Sequence, residues 1–209
     1  MKSKKKVKEK TKSKKWLVLL LLIIPFISII SIVIFRHTYA PTNEEIIDYI
    51  KNIKSYTVNA EYLVKNPKKE YKEDTSMYYC KDAGMRIEFG KDRVKIYKDG
   101  FIDVNENGDE YKLEDKFDSV YPLGFYNNLL ERNIKDIKEG AEEWGDIKYL
   151  EVDVDISGKN SHISSAKVFI NKADKSPIVT KIFDAKGQER IVITYSDFKE
   201  VKDIDKALF

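Results

Sequence analysis

From Tyr56 to Tyr195, apolar residues return at every second position in run after run. Leu150, Val152, Val154 and Ile156 alternate with Glu151, Asp153 and Asp155. That period puts alternate side chains on opposite faces of an extended strand, one suited to a core and the other to water. Tyr56, Val58, Ala60, Tyr62 and Val64 repeat the pattern, as do Met85, Ile87 and Phe89, and then Val94 and Ile96. Ala166, Val168 and Ile170, then Ile178, Thr180 and Ile182, then Ile191, Ile193 and Tyr195 continue it. Turn signals separate the runs at Asn66-Pro67, Asp82-Ala83-Gly84, Asp99-Gly100, Asn107-Gly108, Gly158-Lys159-Asn160 and Asp184-Ala185-Lys186-Gly187. Short strands at such spacing predict an antiparallel meander that becomes a barrel, half-barrel or sandwich.

Two segments carry a helical period instead. In residues 41–54, Thr42 suits an N-cap, Glu45 follows three residues later as in a capping box, and Ile46, Ile47, Ile50 and Ile53 share a face. Between Val120 and Gly140, Leu123, Tyr126, Leu130, Ile134 and Ile137 recur at helical spacing, which predicts a helix stopped by Gly140. The fold class is therefore mainly β (α+β), a curved antiparallel sheet or half-barrel with covering helices. No linker rich in Pro, Gly or Ser divides residues 42–209, so they form one domain.

Ahead of that domain stands a different kind of chain. Residues 1–15 hold nine lysines and one acid, Glu9, for a charge of +8. The rest keeps 29 of the 38 basic and 34 of the 35 acidic residues, for a charge of −5. Between the two lies Trp16 to Phe35, twenty residues without a charge, sixteen of them Leu, Ile, Val or Phe. On an insertion scale those sixteen contribute about −5 to −10 kcal/mol, and twenty helical residues span roughly 30 Å, the hydrocarbon thickness. This reads as a transmembrane helix over 16–35 with Pro25 tolerated inside it, a basic cytoplasmic tail over 1–15, and a juxtamembrane linker over 36–41. Lysines on one side, against Arg36 and His37 on the other, put the C-terminal domain outside the cytoplasm. A cleaved signal peptide ending at Thr38-Tyr39-Ala40 is the competing reading. The length of the run, and Pro41 directly after the cut, favour an uncleaved anchor.

Chemistry is sparse in the residues. Asp103, Asn105, Asn107, Gly108 and Glu114 match the spacing of a calcium-binding loop. That loop needs flanking helices, whereas both flanks read as strand and Glu110 stands where an apolar residue belongs, so a hairpin tip around Asn107-Gly108 is expected with no structural calcium. Cys80 is the single cysteine and reads as a small strand hydrophobe. His37 adjoins the apolar run, and His162 lies in Ser161-His162-Ile163-Ser164-Ser165, where sequence neighbours point apart and form no triad. No phosphate loop, cofactor motif or paired-His spacing occurs, and no basic stripe with interleaved aromatics suits nucleic acid. The domain reads as a non-enzymatic binding module with no catalytic, cofactor or metal residues assigned.

Several stretches resemble the clostridial spore germination lipoprotein GerS family. They are Ile53-Lys-Ser-Tyr-Thr-Val-Asn-Ala60, the run from Arg86 to Gly100, Glu114-Asp-Lys-Phe-Asp-Ser-Val-Tyr121, and Ala166 to Phe209, including Ile182-Phe-Asp-Ala-Lys-Gly-Gln-Glu-Arg190 and Asp205-Lys-Ala-Leu-Phe209. The resemblance implies a fold similar to the lipoprotein carrier LolA, a curved sheet with a concave apolar face. It also implies a protein partner, the cortex-modifying N-acetylmuramoyl-L-alanine amidase CwlD, and a place in the forespore or spore envelope during sporulation and germination. A transmembrane run stands here where that family has a lipid-bearing cysteine. The alternative that the same fold implies is a lipid or lipoprotein binder using a hydrophobic cavity. Thirteen tyrosines and ten phenylalanines favour a filled interior over an empty one.

Overall fold

The computed structural model describes residues 23–34, 41–66, 69–141, 144–156, 158 and 160–209. The chain divides into Met1–Thr42 and Asn43–Phe209. In the first unit, residues 23–34 are helical (α1). Among the described residues no helix is long and apolar enough to cross a membrane. The expected span over 16–35 falls partly there, with residues 16–22 and 35 outside the described ones.

The second unit is one eleven-stranded antiparallel sheet. It opens with helix α2 (Asn43–Lys51), beginning just after Thr42, and then β1 (Ser55–Lys65). A meander follows through β2 (Glu70–Cys80), β3 (Gly84–Phe89), β4 (Arg93–Lys98), β5 (Phe101–Glu106) and β6 (Asp109–Glu114). A crossing segment with 3-10 turns at Asp115–Phe117 and Tyr121–Gly124 and helix α3 (Tyr126–Leu130) leads to the second meander. This consists of β7 (Asn133–Gly140), β8 (Tyr149–Asp155), β9 (Ser165–Asn171), β10 (Pro177–Phe183) and β11 (Glu189–Glu200). The strand order is β6-β5-β4-β3-β2-β1-β11-β10-β9-β8-β7. The meanders are joined by β1 against β11, while β6 and β7 are free edges among the described residues, so the sheet is open, not a closed barrel.

Apolar alternation builds the inner face. Tyr56, Val58, Ala60 and Tyr62 of β1, Leu150, Val152 and Val154 of β8, and Ile191 and Ile193 of β11 are all buried on it. Ile46, Ile47 and Ile50 of α2, with Ile53, pack into the same core as Leu123, Phe125, Leu129 and Leu130 of the crossing segment. The outer face of the second meander is an ion-pair ladder. Lys135 meets Asp155 at 3.0 Å, Lys138 meets Asp136 at 3.1 Å, and Lys167 bonds Glu151 and lies 3.6 Å from Asp153. Asp153 and Asp155 thus belong to the polar face, as their alternation predicts.

Three expectations are corrected. The helix expected between Val120 and Gly140 is only α3, five residues long, and Ile134 and Ile137 belong to strand β7. Pro122 sits in the turn before α3, and a β-bulge between Ile134 and Asp136 inserts a residue into β7. Two apolar residues facing one way across a bulge stand three apart, which imitates a helical period. On β4 the alternation is inverted: Val94 and Ile96 are only partly covered, while Tyr97 is buried. Strand β2, absent from the expected runs, is shown by Thr75, Met77 and Tyr79 alone, because its first half is charged and exposed.

Candidate functional site

Aromatic rings fill the inner face. Tyr56, Tyr62, Phe125 and Tyr126 are fully buried. Tyr56 stacks on Tyr79 with centroids 5.2 Å apart and meets Tyr126 edge-on at 5.6 Å. A buried tyrosine hydroxyl needs a partner, and here most partners lie in the crossing segment. Tyr62 Oη donates to the carbonyl of Tyr121 at 2.7 Å, Tyr195 Oη to the carbonyl of Gly124 at 2.9 Å, and Tyr56 Oη to Asn127 Oδ1 at 2.8 Å. Burial pushes these phenols well above their ordinary range, so all three remain donors. The rings that would otherwise line a cavity instead hold a lid of backbone against the sheet.

A second set of contacts fixes the start of that segment. Asp118 accepts from Lys95 Nζ at 2.6 Å, from Tyr97 Oη at 2.7 Å, and from the backbone N–H groups of Val120 and Tyr121 at 3.2 Å each. Burial works against its charge, but the bonds from Lys95 and Tyr97 hold its carboxyl below the usual carboxylate range. Beside it, Glu73 accepts from Arg93 Nη2 at 2.5 Å and from Tyr121 Oη, and the Arg93 guanidinium lies 3.9 Å from the Phe89 ring centroid. Both carboxylates are committed to cationic partners, so the cluster acts as a clamp. The sequence signal for it was faint: Lys95 and Tyr97 share the parity opposite to Val94 and Ile96.

One hollow lies beside the lid. A cleft of about 370 Å³ is lined by Met85, Pro122, Leu123, Leu129, Ile156 and Ile163, with Asp118, Ser119, Asn128, Arg132, Gly158 and Asn160 completing it. It stands near the low end of the roughly 300–1,000 Å³ usual for small-molecule sites.

The edges differ from each other. All six residues of β6 are exposed, including Tyr111 and Leu113, which continue the inner row of Val104 and Ile102 across the β5–β6 pairing. The calcium-spaced residues lie in this hairpin. Glu106 pairs with Asp109 around a two-residue turn, with Asn107 at φ +54° and Gly108 at φ +92°, as a type I′ turn demands. Asp103 pairs with Lys112 at 3.4 Å, Glu114 with Lys116 at 2.5 Å, and Asn105 Nδ2 donates to Glu110 at 3.2 Å. The strands hold these oxygens in a ladder and do not wrap them round a point, and among the described residues no three His, Cys, Asp or Glu are placed to hold a metal ion. Cys80 is buried at the end of β2 opposite Ser55. His162 is exposed in a turn, its backbone N–H donating to Asn160 Oδ1 at 3.0 Å, and His37 lies outside the described residues. Sequence reading also missed Trp144, which packs edge-on against Tyr149 and Phe169, each at 5.0 Å.

Comparison with solved structures finds an uncharacterized conserved protein from Thermus thermophilus with a TM-score of 0.52 at 13% identity, covering 79% of this chain and 91% of that one. That likeness shows a shared fold. The LolA superfamily protein NE2245 from Nitrosomonas europaea aligns with a TM-score of 0.45 at 11% identity, covering 81% and 98%. A structure of the CwlD amidase from Clostridioides difficile in complex with the GerS lipoprotein aligns with a TM-score of 0.40 at 19% identity, covering 79% and 96%. A search of curated proteins finds no significant relative. The model of the sporulation protein YdcC-like family, however, matches residues 13–209, nearly the whole chain and all of the sheet, and this chain belongs to that family.

Proposed function

We propose that this protein is a membrane-tethered, non-catalytic binding protein of sporulation, whose sheet domain engages another folded protein. A cortex-modifying N-acetylmuramoyl-L-alanine amidase is the partner to which the GerS resemblance points. The observation that carries the binding role is the filled inner face. Tyr56, Tyr62 and Tyr195 occupy the space an acyl chain would need, and their hydroxyls tie down the segment that would have to open. Membership of a sporulation family supports the setting, and the uncharged run from Trp16 to Phe35 supports the tether. Tethering to the surface on which a partner works raises effective concentration, so modest intrinsic affinity suffices.

The test mixes the full-length chain in detergent with a purified sporulation amidase and follows co-elution and amidase activity on peptidoglycan. Co-elution with altered activity is expected. If the two neither co-elute nor change activity, and the protein instead carries stoichiometric acyl lipid, the role is lipid carriage and the binding reading is wrong.

A further inference from the structure

We infer that the free edge of β6 is a docking strand for an extended segment of another protein, one that alternates charged and apolar residues in the order basic, apolar, acidic, apolar, basic and adds a further strand to the sheet. This rests on the binding role proposed above and assigns it a surface. Parity comes first. In an antiparallel ladder, hydrogen-bonded positions alternate. The backbone N–H of Asp115 donates to Gly100 at 3.1 Å, and Glu106 and Asp109 close the two-residue turn. Asp109, Tyr111 and Leu113 therefore bond to β5, whereas Glu110, Lys112 and Glu114 turn their backbone N–H and C=O groups away from the sheet, where no strand pairs among the described residues.

The other edge is protected. Strand β7 carries a bulge together with Lys135 and Lys138, devices that discourage edge pairing. Strand β6 pairs without a register break and leaves Tyr111 43% and Leu113 37% exposed beside the buried Ile102 and Val104. Its one lysine, Lys112, has its charge answered by Asp103.

The occupant follows from charge. Residues 101–118 hold seven acids and two lysines, a charge of −5, equal to that of the entire chain after residue 15. A second copy in the full-length register is a poor fit. Outward positions must oppose outward positions, so full-length β6–β6 pairing sets Lys112 against Lys112, Glu110 against Glu114 and Asp109 against Asp115. Every charged pair is like-signed, which destabilises a ladder. The complementary segment has a basic residue opposite Glu114, an apolar one opposite Leu113, an acid opposite Lys112, an apolar one opposite Tyr111 and a basic one opposite Glu110. Backbone bonds then supply affinity and the alternating side chains supply specificity.

The probe is a fluorescent peptide with a Lys-Val-Glu-Val-Lys core flanked by threonines, compared with its charge-exchanged twin, Glu-Val-Lys-Val-Glu, by anisotropy against the full-length chain in detergent. The first is expected to bind about tenfold more tightly, with the gap closing as salt rises. Lys112→Pro removes one outward N–H and no bond to β5, a substitution that edge strands accept. It should weaken binding about tenfold, while Lys112→Thr should leave it nearly unchanged. Should Lys112→Pro lose its strand signal in circular dichroism, the double variant Glu110→Lys with Glu114→Lys decides, since it should exchange the peptide preference. Equal binding of both peptides, binding of neither at millimolar concentration, or an unchanged preference in the double variant overturns the proposal. An amidase that co-elutes and responds equally with the Lys112→Pro and wild-type chains sinks the edge but keeps the binding role. Peptide binding at β6 without any amidase effect does the reverse.

Discussion

The crossing segment is held by single atoms, and Gly124 shows how closely. A Cβ built there would lie 2.0 Å from Tyr62 Oη and 2.9 Å from Met77 Cε. Gly124→Ala should destabilise the domain by about 1–3 kcal/mol through overpacking, seen as a melting temperature lower by roughly 2–4 °C per kcal/mol. Tyr62→Phe removes both the obstacle and the bond to the Tyr121 carbonyl, so its loss combined with Gly124→Ala should be less than additive in a double-mutant cycle. Asp118 gives a second, pH-dependent handle. Its folded-state pKa lies below the ordinary value because of the bonds from Lys95 and Tyr97, opposed by burial. A depressed carboxyl contributes stability that is complete above its unfolded pKa and is lost as pH falls through the folded one. Asp118→Asn should therefore destabilise by roughly 1–3 kcal/mol at neutral pH, with the gap from wild type closing below about pH 4. Urea titrations at pH 7 and pH 3 check both the size and the sign.

At the scale of elements, legibility followed how cleanly one face was buried. Helix α2 was readable because Ile46, Ile47 and Ile50 turn one continuous stripe into the core. Ile50, wholly buried, should lose about 2–5 kcal/mol on truncation to alanine, measured by thermal melting. Strand β8 was equally plain, buried and half-exposed in strict alternation. Failures came where tertiary partners redirect a side chain. On β4, Lys95 and Tyr97 turn inward only because Asp118, twenty-one residues beyond Tyr97, waits to receive them. On β7, the bulge bent a period of two into three. Neither signal exists in a window read along one strand.

Across the whole domain, two meanders of mostly local pairings meet at β1–β11, where Tyr56 pairs with Glu200 and Val64 with Ile191. That closure joins residues far apart in the chain, and it lies mid-sheet with strands on either side. Backbone amides of β1, β11 and β10 should exchange slowest with deuterium, and those of β6 and β7 fastest, because edge strands open without breaking the core. Exchange as slow in β6 of the isolated protein as in β1 would show that the edge is already covered. On the membrane side, the protein should fractionate with membranes and keep its N-terminus. A mature chain beginning at Pro41 would show that the apolar run is a removed signal.

The sequence by itself determined the β class, the inward alternation of most strands, the position of α2, the Asn107-Gly108 hairpin, and the separation of a basic, apolar leader from an acidic domain. Each is a local property, written in the period or charge of neighbouring residues. Tertiary structure alone decided the rest: that the sheet stays open, that tyrosine hydroxyls lock a lid across its inner face, and that one edge is bulged while the other is regular and, among the described residues, unpaired. Those properties depend on which strands lie beside one another and which hydroxyl meets which carbonyl, pairings between residues far apart in the chain that no local pattern encodes.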